Sequence, residues 1–205
     1  MALINLTSKA LRLLLSRRFT TGSLTTGQEA FTETLDIGSS EVYTQDNLIP
    51  STSLPFSGSS QQYSIYQSSG FNILKYWYKH RLTKFNIGTD VWFFLNPSGS
   101  NEGITPQIIQ TEQQTNFVSN KYATPSLANA VSEDATPGYN VVVYKSTTTD
   151  SSSLSGGDKV SGNDYQFDYK TGVLQFDANK PSASDRIYMS SYQYVGRTLD
   201  TSIST

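Results

Sequence analysis

The chain of 205 residues contains no cysteine and a single histidine, His80. The missing thiols exclude a disulfide scaffold, a thiolate nucleophile and a zinc–thiolate centre. One imidazole excludes any multi-histidine metal site and leaves His80 as the sole candidate base for a Ser-His-acid system. It sits in YWYKHRL between Lys79 and Arg81, cations that lower an imidazole pKa, and no GxSxG elbow accompanies it. Charge is also scarce. Lys, Arg, Asp and Glu make up 16% of the residues and leave a formal net charge of -2, which argues against nucleic-acid binding by general phosphate neutralisation. No apolar run reaches the length of a membrane-spanning helix. The glycine-lysine phosphate loop is absent as well.

What fills the chain instead is uncharged polar sequence set with aromatic rings, 13 Tyr and 10 Phe among them. Aromatic, hydroxyl-rich composition favours strands over helices. The expected architecture is mainly β, an antiparallel β-sandwich or barrel-like domain over residues 71–196. An N-terminal amphipathic helix (1–20), an extended polar arm (21–70) and a flexible tail (197–205) accompany it.

Residues 2–19 have helical periodicity. Leu3, Leu6, Leu13 and Leu14 share one face with Ala10, while Asn5, Lys9, Arg12 and Ser16 take the other. Packing on its own domain or on a neighbouring copy, a mitochondrial-type transit segment and a membrane-surface helix all fit this pattern. Residues 21–70 are rich in Thr, Ser, Gly and Gln. Their spaced apolar residues, including Leu54, Phe56, Tyr63 and Ile65, suit an arm laid across another surface, ordered by what covers it.

FNILKYWYKHR is ambiguous. Ile73, Tyr76 and Trp77 share a helix face, whereas Tyr76, Tyr78 and His80 share a strand face. Strands are expected on both sides of Asn86-Ile87-Gly88. Residues 96–138 form a long Pro- and Gly-containing insertion, with Phe117 among its apolar anchors. A loop of that length is unusual in a compact domain and suits a reach to a neighbour.

From residue 139 the strand signal is clear. In DYQFDYKTGVLQF, Tyr165, Phe167 and Tyr169 point one way and Gln166 and Asp168 the other. Leu174 and Phe176 alternate with Val173 and Gln175 across the turn. Gly172 supplies the positive φ that closes the hairpin. In the strand that follows, Tyr188, Ser190, Tyr192 and Tyr194 alternate with Ile187 and Met189. Packing accounts for every residue of this unit without a substrate.

Three further features have two readings. Asp164 and Asp168 share a strand face at wide spacing, without the apolar surround that raises one carboxyl of a hydrolase pair. Gly156-Gly157-Asp158 and Gly162-Asn163-Asp164 offer oxygens a calcium ion accepts, but they lack EF-hand spacing and read equally as turn chemistry. Lys75, Lys79, Arg81 and Lys84 interleave with Tyr76, Trp77 and Tyr78, a mix that binds single strands by stacking or serves a core or interface. No catalytic, cofactor or metal residue is assigned, and no cofactor or small-molecule substrate is expected.

The hairpin YQFDYKTGVLQF with IYMSSYQYVG, together with FFLNPSGSNEGITPQ and SLANAVSEDATPGYNVVVYKS, resembles strands of structural proteins from tailed bacteriophages and large DNA viruses. The resemblance spans about residues 70–196. It implies a non-enzymatic subunit at a tail, neck, baseplate or capsid surface, found in the virion and in the host cytoplasm during assembly. Its partners would be copies of itself and neighbouring virion proteins. Assembly contacts are expected from Leu3, Leu6, Leu13, Leu14, Phe56, Tyr63, Ile65, Trp77, Phe117, Tyr188, Tyr192 and Tyr194. A carbohydrate- or cell-surface-binding β module is the alternative, since exposed Tyr and Trp suit sugar faces.

Overall fold

A computed structural model describes residues 38–58, 61–84, 90–95, 113–129 and 138–203. The helix expected over 1–20, with Leu3, Leu6, Leu13 and Leu14, lies outside these residues, as does 96–112 of the insertion.

Period-two patterning yields strands β1 (Tyr63–Ser68), β2 (Phe71–Arg81), β3 (Thr83–Lys84), β4 (Val91–Phe93), β5 (Val142–Ser146), β6 (Tyr165–Asp168), β7 (Val173–Phe176) and β8 (Arg186–Tyr194). They form two four-stranded antiparallel sheets, ordered β1-β2-β8-β5 and β3-β4-β7-β6. Trp77, Val143, Ile187 and Met189 of the first sheet meet Trp92, Leu174 and Phe176 of the second in one core, joined by Phe94 and Phe117.

The barrel-like alternative is not realised. Among the described residues no ladder joins the two sheets. The chain turns the corner between them at Leu82, whose N–H still bonds Ile187 O (2.8 Å) before Thr83–Lys84 pairs with β4. A barrel would need hydrogen-bonded closure there and at the opposite seam.

The ambiguous FNILKYWYKHR is a strand with a bulge. Trp77 lies opposite Ser191 and His80 opposite Met189, so β2 holds one residue more than β8 across this interval. Lys79 takes the strain at φ 50°, and its N–H bonds Ser190 Oγ (2.9 Å). The extra residue flips the parity. His80 therefore joins Trp77 in the space between the sheets instead of sharing a face with Tyr76 and Tyr78, and the two rings meet edge-on at 4.9 Å.

The other face of the first sheet collects Leu74, Tyr76, Tyr144, Tyr188, Tyr192 and Tyr194, because opposite residues share a face. Residues 38–58 cover much of it. Their Tyr43, Leu48, Ile49, Leu54 and Phe56 pack with Leu74, Tyr76, Tyr192 and Tyr194. The described part of the expected arm is thus a strap across the chain's own sheet, and Tyr63–Ser68 beyond it is a sheet strand. Irregularly spaced apolar residues cannot build a core alone, whereas a sheet face of tyrosine rings offers them one.

The polar tail is tied down too. Thr198 bridges to Tyr43, Leu199–Ile203 form a short helix, and Leu199 N–H bonds Val42 O (3.0 Å). In the insertion, Val118 N–H bonds Tyr192 O (2.8 Å) and Phe117 bridges to Gln193. Pro125–Ala128 form a one-turn helix capped by Thr124.

Candidate functional site

Two features of the first sheet are built beyond what simple packing requires. One is the latching of the strap, and the other is the exposed margin at β1.

Three tyrosines of the sheet side hold the strap by its backbone. The Tyr139 hydroxyl donates to Pro50 O. The Tyr192 hydroxyl accepts from Phe56 N–H (2.9 Å) and donates to Phe56 O. The Tyr194 hydroxyl accepts from Gln45 N–H (3.1 Å), while its ring stacks on Tyr43 at 4.0 Å between centroids. Burial pushes the Tyr43, Tyr139 and Tyr192 phenols far above their ordinary range and lifts Tyr194 to about 12. These rings stay neutral at any physiological pH; Tyr139, Tyr192 and Tyr194 act as hydrogen-bonding anchors and Tyr43 stacks.

The space between the sheets holds a polar seam. Trp77 Nε1–H donates to Gln193 Oε1 (3.0 Å), and Gln193 Nε2 donates to Gln113 O and Thr115 O (3.0 Å each). His80 Nε2 lies 2.7 Å from Leu95 O, so it carries the proton and donates. Nδ1 is buried without a partner. Desolvation lowers the His80 pKa to about 4, partly offset by the Leu95 bond and assisted by Lys75. Burial is the main cause, and the contributing cation is Lys75 rather than the sequence neighbours Lys79 and Arg81. Among the described residues no carboxylate orients the ring.

The basic-aromatic run does not form one stripe. Lys75 Nζ lies over Tyr63 and Trp77, at 4.0 and 4.3 Å from the ring centroids, on the face toward the second sheet. Lys79 Nζ donates to Leu154 O (2.8 Å) beside Tyr144 on the opposite face. Lys84 reaches Trp92 on another strand.

The carboxylates of the acidic turns already have hydrogen-bond donors. Asp158 accepts from Ser155 N–H (2.8 Å), and that bond leads the causes holding its carboxyl below the ordinary value. Asp164 accepts from Asn179 Nδ2 (3.0 Å). Among the described residues no three His, Asp or Glu side chains gather at metal-holding distance.

The residues expected at assembly contacts divide by burial. Trp77, Phe117, Tyr188, Tyr192 and Tyr194 are buried within this chain, and Phe56, on the strap itself, is half-buried. Tyr63 and Ile65 are exposed, at 44% and 37%, and they sit together on β1. Sequence reading missed Tyr139 and Tyr43 as latch residues. Gly138, at φ 71° before Tyr139, marks the sharp entry to that position, but a hydroxyl-to-backbone bond leaves no periodic trace. No family model, curated protein or solved structure matches the chain.

Proposed function

We propose that the chain is a non-enzymatic structural subunit of a virus particle, assembling with copies of itself and with neighbouring virion proteins. Its finer architecture is a β-sandwich carrying an additional N-terminal segment. One observation carries the reading. The first sheet binds an irregular polypeptide segment by ring faces and by tyrosine hydroxyls aimed at its backbone. Recognition of main chain over a tyrosine platform is a means of fastening extended segments, the work of a scaffold protein. The titratable groups of the described region support this role. The phenols are neutral anchors, and the shifted carboxylates cap turns.

The sugar-binding alternative loses its best rings, because Trp77 and Trp92 are 1% and 2% exposed.

The test is the absolute mass of the purified chain in solution, with and without residues 1–37. The cut belongs before Gly38, since removal up to residue 70 would also delete the strap and β1. A defined oligomer of the full chain supports the reading, and its loss on truncation would place the assembly energy in the first 37 residues. A monomer at all concentrations, retaining a glycan on an array, would favour the alternative.

A further inference from the structure

The first sheet ends at β1, and among the described residues no strand pairs with its outer edge. Tyr78 N–H bonds Gln62 O (3.1 Å). The antiparallel alternation then turns the backbone groups of Ser64 and Tyr66 toward β2, and those of Tyr63 and Ile65 outward. The side chains of Tyr63 and Ile65 flank this edge on the face shared by their partners Trp77 and Lys75.

Edges are normally blunted by charge, by proline or by cover. The far edge of the same sheet is covered, since Tyr144 bridges to Lys159 and Val160 N–H bonds Val143 O (2.9 Å). The β6 edge of the second sheet is flanked by Asp164, Asp168 and Lys170. Residues 61–72, QQYSIYQSSGFN, carry neither charge nor proline. The edge strand itself is uncharged, and the cation beside it is Lys75, whose Nζ lies over the Tyr63 ring (4.0 Å).

We propose that β1 pairs antiparallel with β1 of a second copy about a twofold axis through Ser64, joining the two first sheets into one of eight strands. In this register Tyr63 lies opposite Ile65 of the second copy, an aromatic–β-branched pair of the kind that stabilises sheets. The outward N–H and C=O groups of both residues form four hydrogen bonds across the axis. The β-bulge between Tyr66 and Gln67 ends the regular ladder and fixes its extent. A five-residue ladder over 62–66, about 17 Å long, buries well under the roughly 800 Å² per partner of a standard interface. The contact is therefore weak and concentration-dependent alone, and gains strength where many copies are held together. The inference rests on the self-assembly reading above and gives that reading a surface.

The cysteine-free chain makes the test clean. Ser64 faces its own copy at a non-hydrogen-bonded position, where Cα atoms lie about 4.5 Å apart, within reach of a disulfide. Ser64→Cys under mild oxidation at micromolar concentration is expected to form covalent dimer at least tenfold faster than Ala183→Cys, an exposed control on a distant loop. Adding Ile65→Lys to Ser64→Cys should return the rate to that of the control. Ile65→Lys alone, at an exposed position, should abolish concentration-dependent dimer in sedimentation of the otherwise native chain. Equal cross-linking of Ser64→Cys and Ala183→Cys overturns the edge pairing. If the native chain is still oligomeric by mass in that case, self-assembly stands and only the β1 surface falls. If it is monomeric throughout, both fall.

Discussion

His80 offers the sharpest quantitative prediction. Its ring is enclosed by Trp77 and Phe94, with centroids at 4.9 and 4.6 Å, and its Nδ1 has no partner to stabilise an added proton. The folded pKa is about 4 against an ordinary 6.5. The folded value is the lower one, so as pH falls the unfolded chain takes up the proton first. Stability is therefore full above pH 6.5, declines between 6.5 and 4, and is level with respect to this group below 4. Each pH unit in the window costs about 1.4 kcal/mol, so the whole window removes about 3 kcal/mol. From pH 7 to pH 5, above the range where the depressed carboxylates titrate, the loss is about 2 kcal/mol. Urea unfolding followed by tryptophan fluorescence at the two pH values measures it. His80→Gln should unfold with nearly the same stability at both. The chain has one histidine, so its imidazole proton resonances need no assignment by mutation, and their native-state midpoint should lie near 4. A native midpoint at 6 or above, or an undiminished pH slope in His80→Gln, would refute the reasoning.

Two further outcomes test the strap and the hairpin. Tyr192→Phe removes the hydroxyl serving both Phe56 N–H and Phe56 O; these half-buried groups regain some water, so the cost should be about 1–2 kcal/mol in urea unfolding, with faster proteolysis near residue 56. Gly172→Ala forces a side chain onto φ 70° and sets its Cβ 2.6 Å from the Phe117 ring. It should destabilise by about 2–4 kcal/mol in the same assay, and a change under 1 kcal/mol would show that the turn relaxes freely.

Strand identity was legible wherever one face of a strand is apolar. The hairpin Tyr165–Phe176 and the strand Arg186–Tyr194 follow their alternation, and Gly172 takes the positive φ its turn needs. Position within the sheets was not legible. Tyr63–Ser68 alternates as a central strand does, and only the order β1-β2-β8-β5 makes it an edge. The bulge at Lys79 was hidden because Lys occurs at φ 50° without the glycine that usually signals such a turn. The strap was unreadable for another reason. Its partners lie far along the chain, Phe56 at Tyr192 and Thr44 at Arg197, and its bonds mix hydroxyl-to-main-chain with isolated main-chain pairs in no repeating pattern. Tyr63 and Ile65 were singled out by spacing alone, and the fold supplies their shared exposure.

The place of β8 has a consequence for how the molecule is made. Strand Arg186–Tyr194 is flanked by β2 and β5, so the last of the described strands in chain order is an interior strand of its sheet. Until it leaves the ribosome, β2 and β5 have no partner between them, and the strap has neither Tyr192 nor Tyr194 to fasten on. Without β8 the first sheet holds only the β1–β2 hairpin, and it closes when β8 inserts between β2 and β5. A truncation within Arg186–Tyr194 would therefore remove the keystone of the first sheet, whereas one beyond Tyr194 leaves β8 whole.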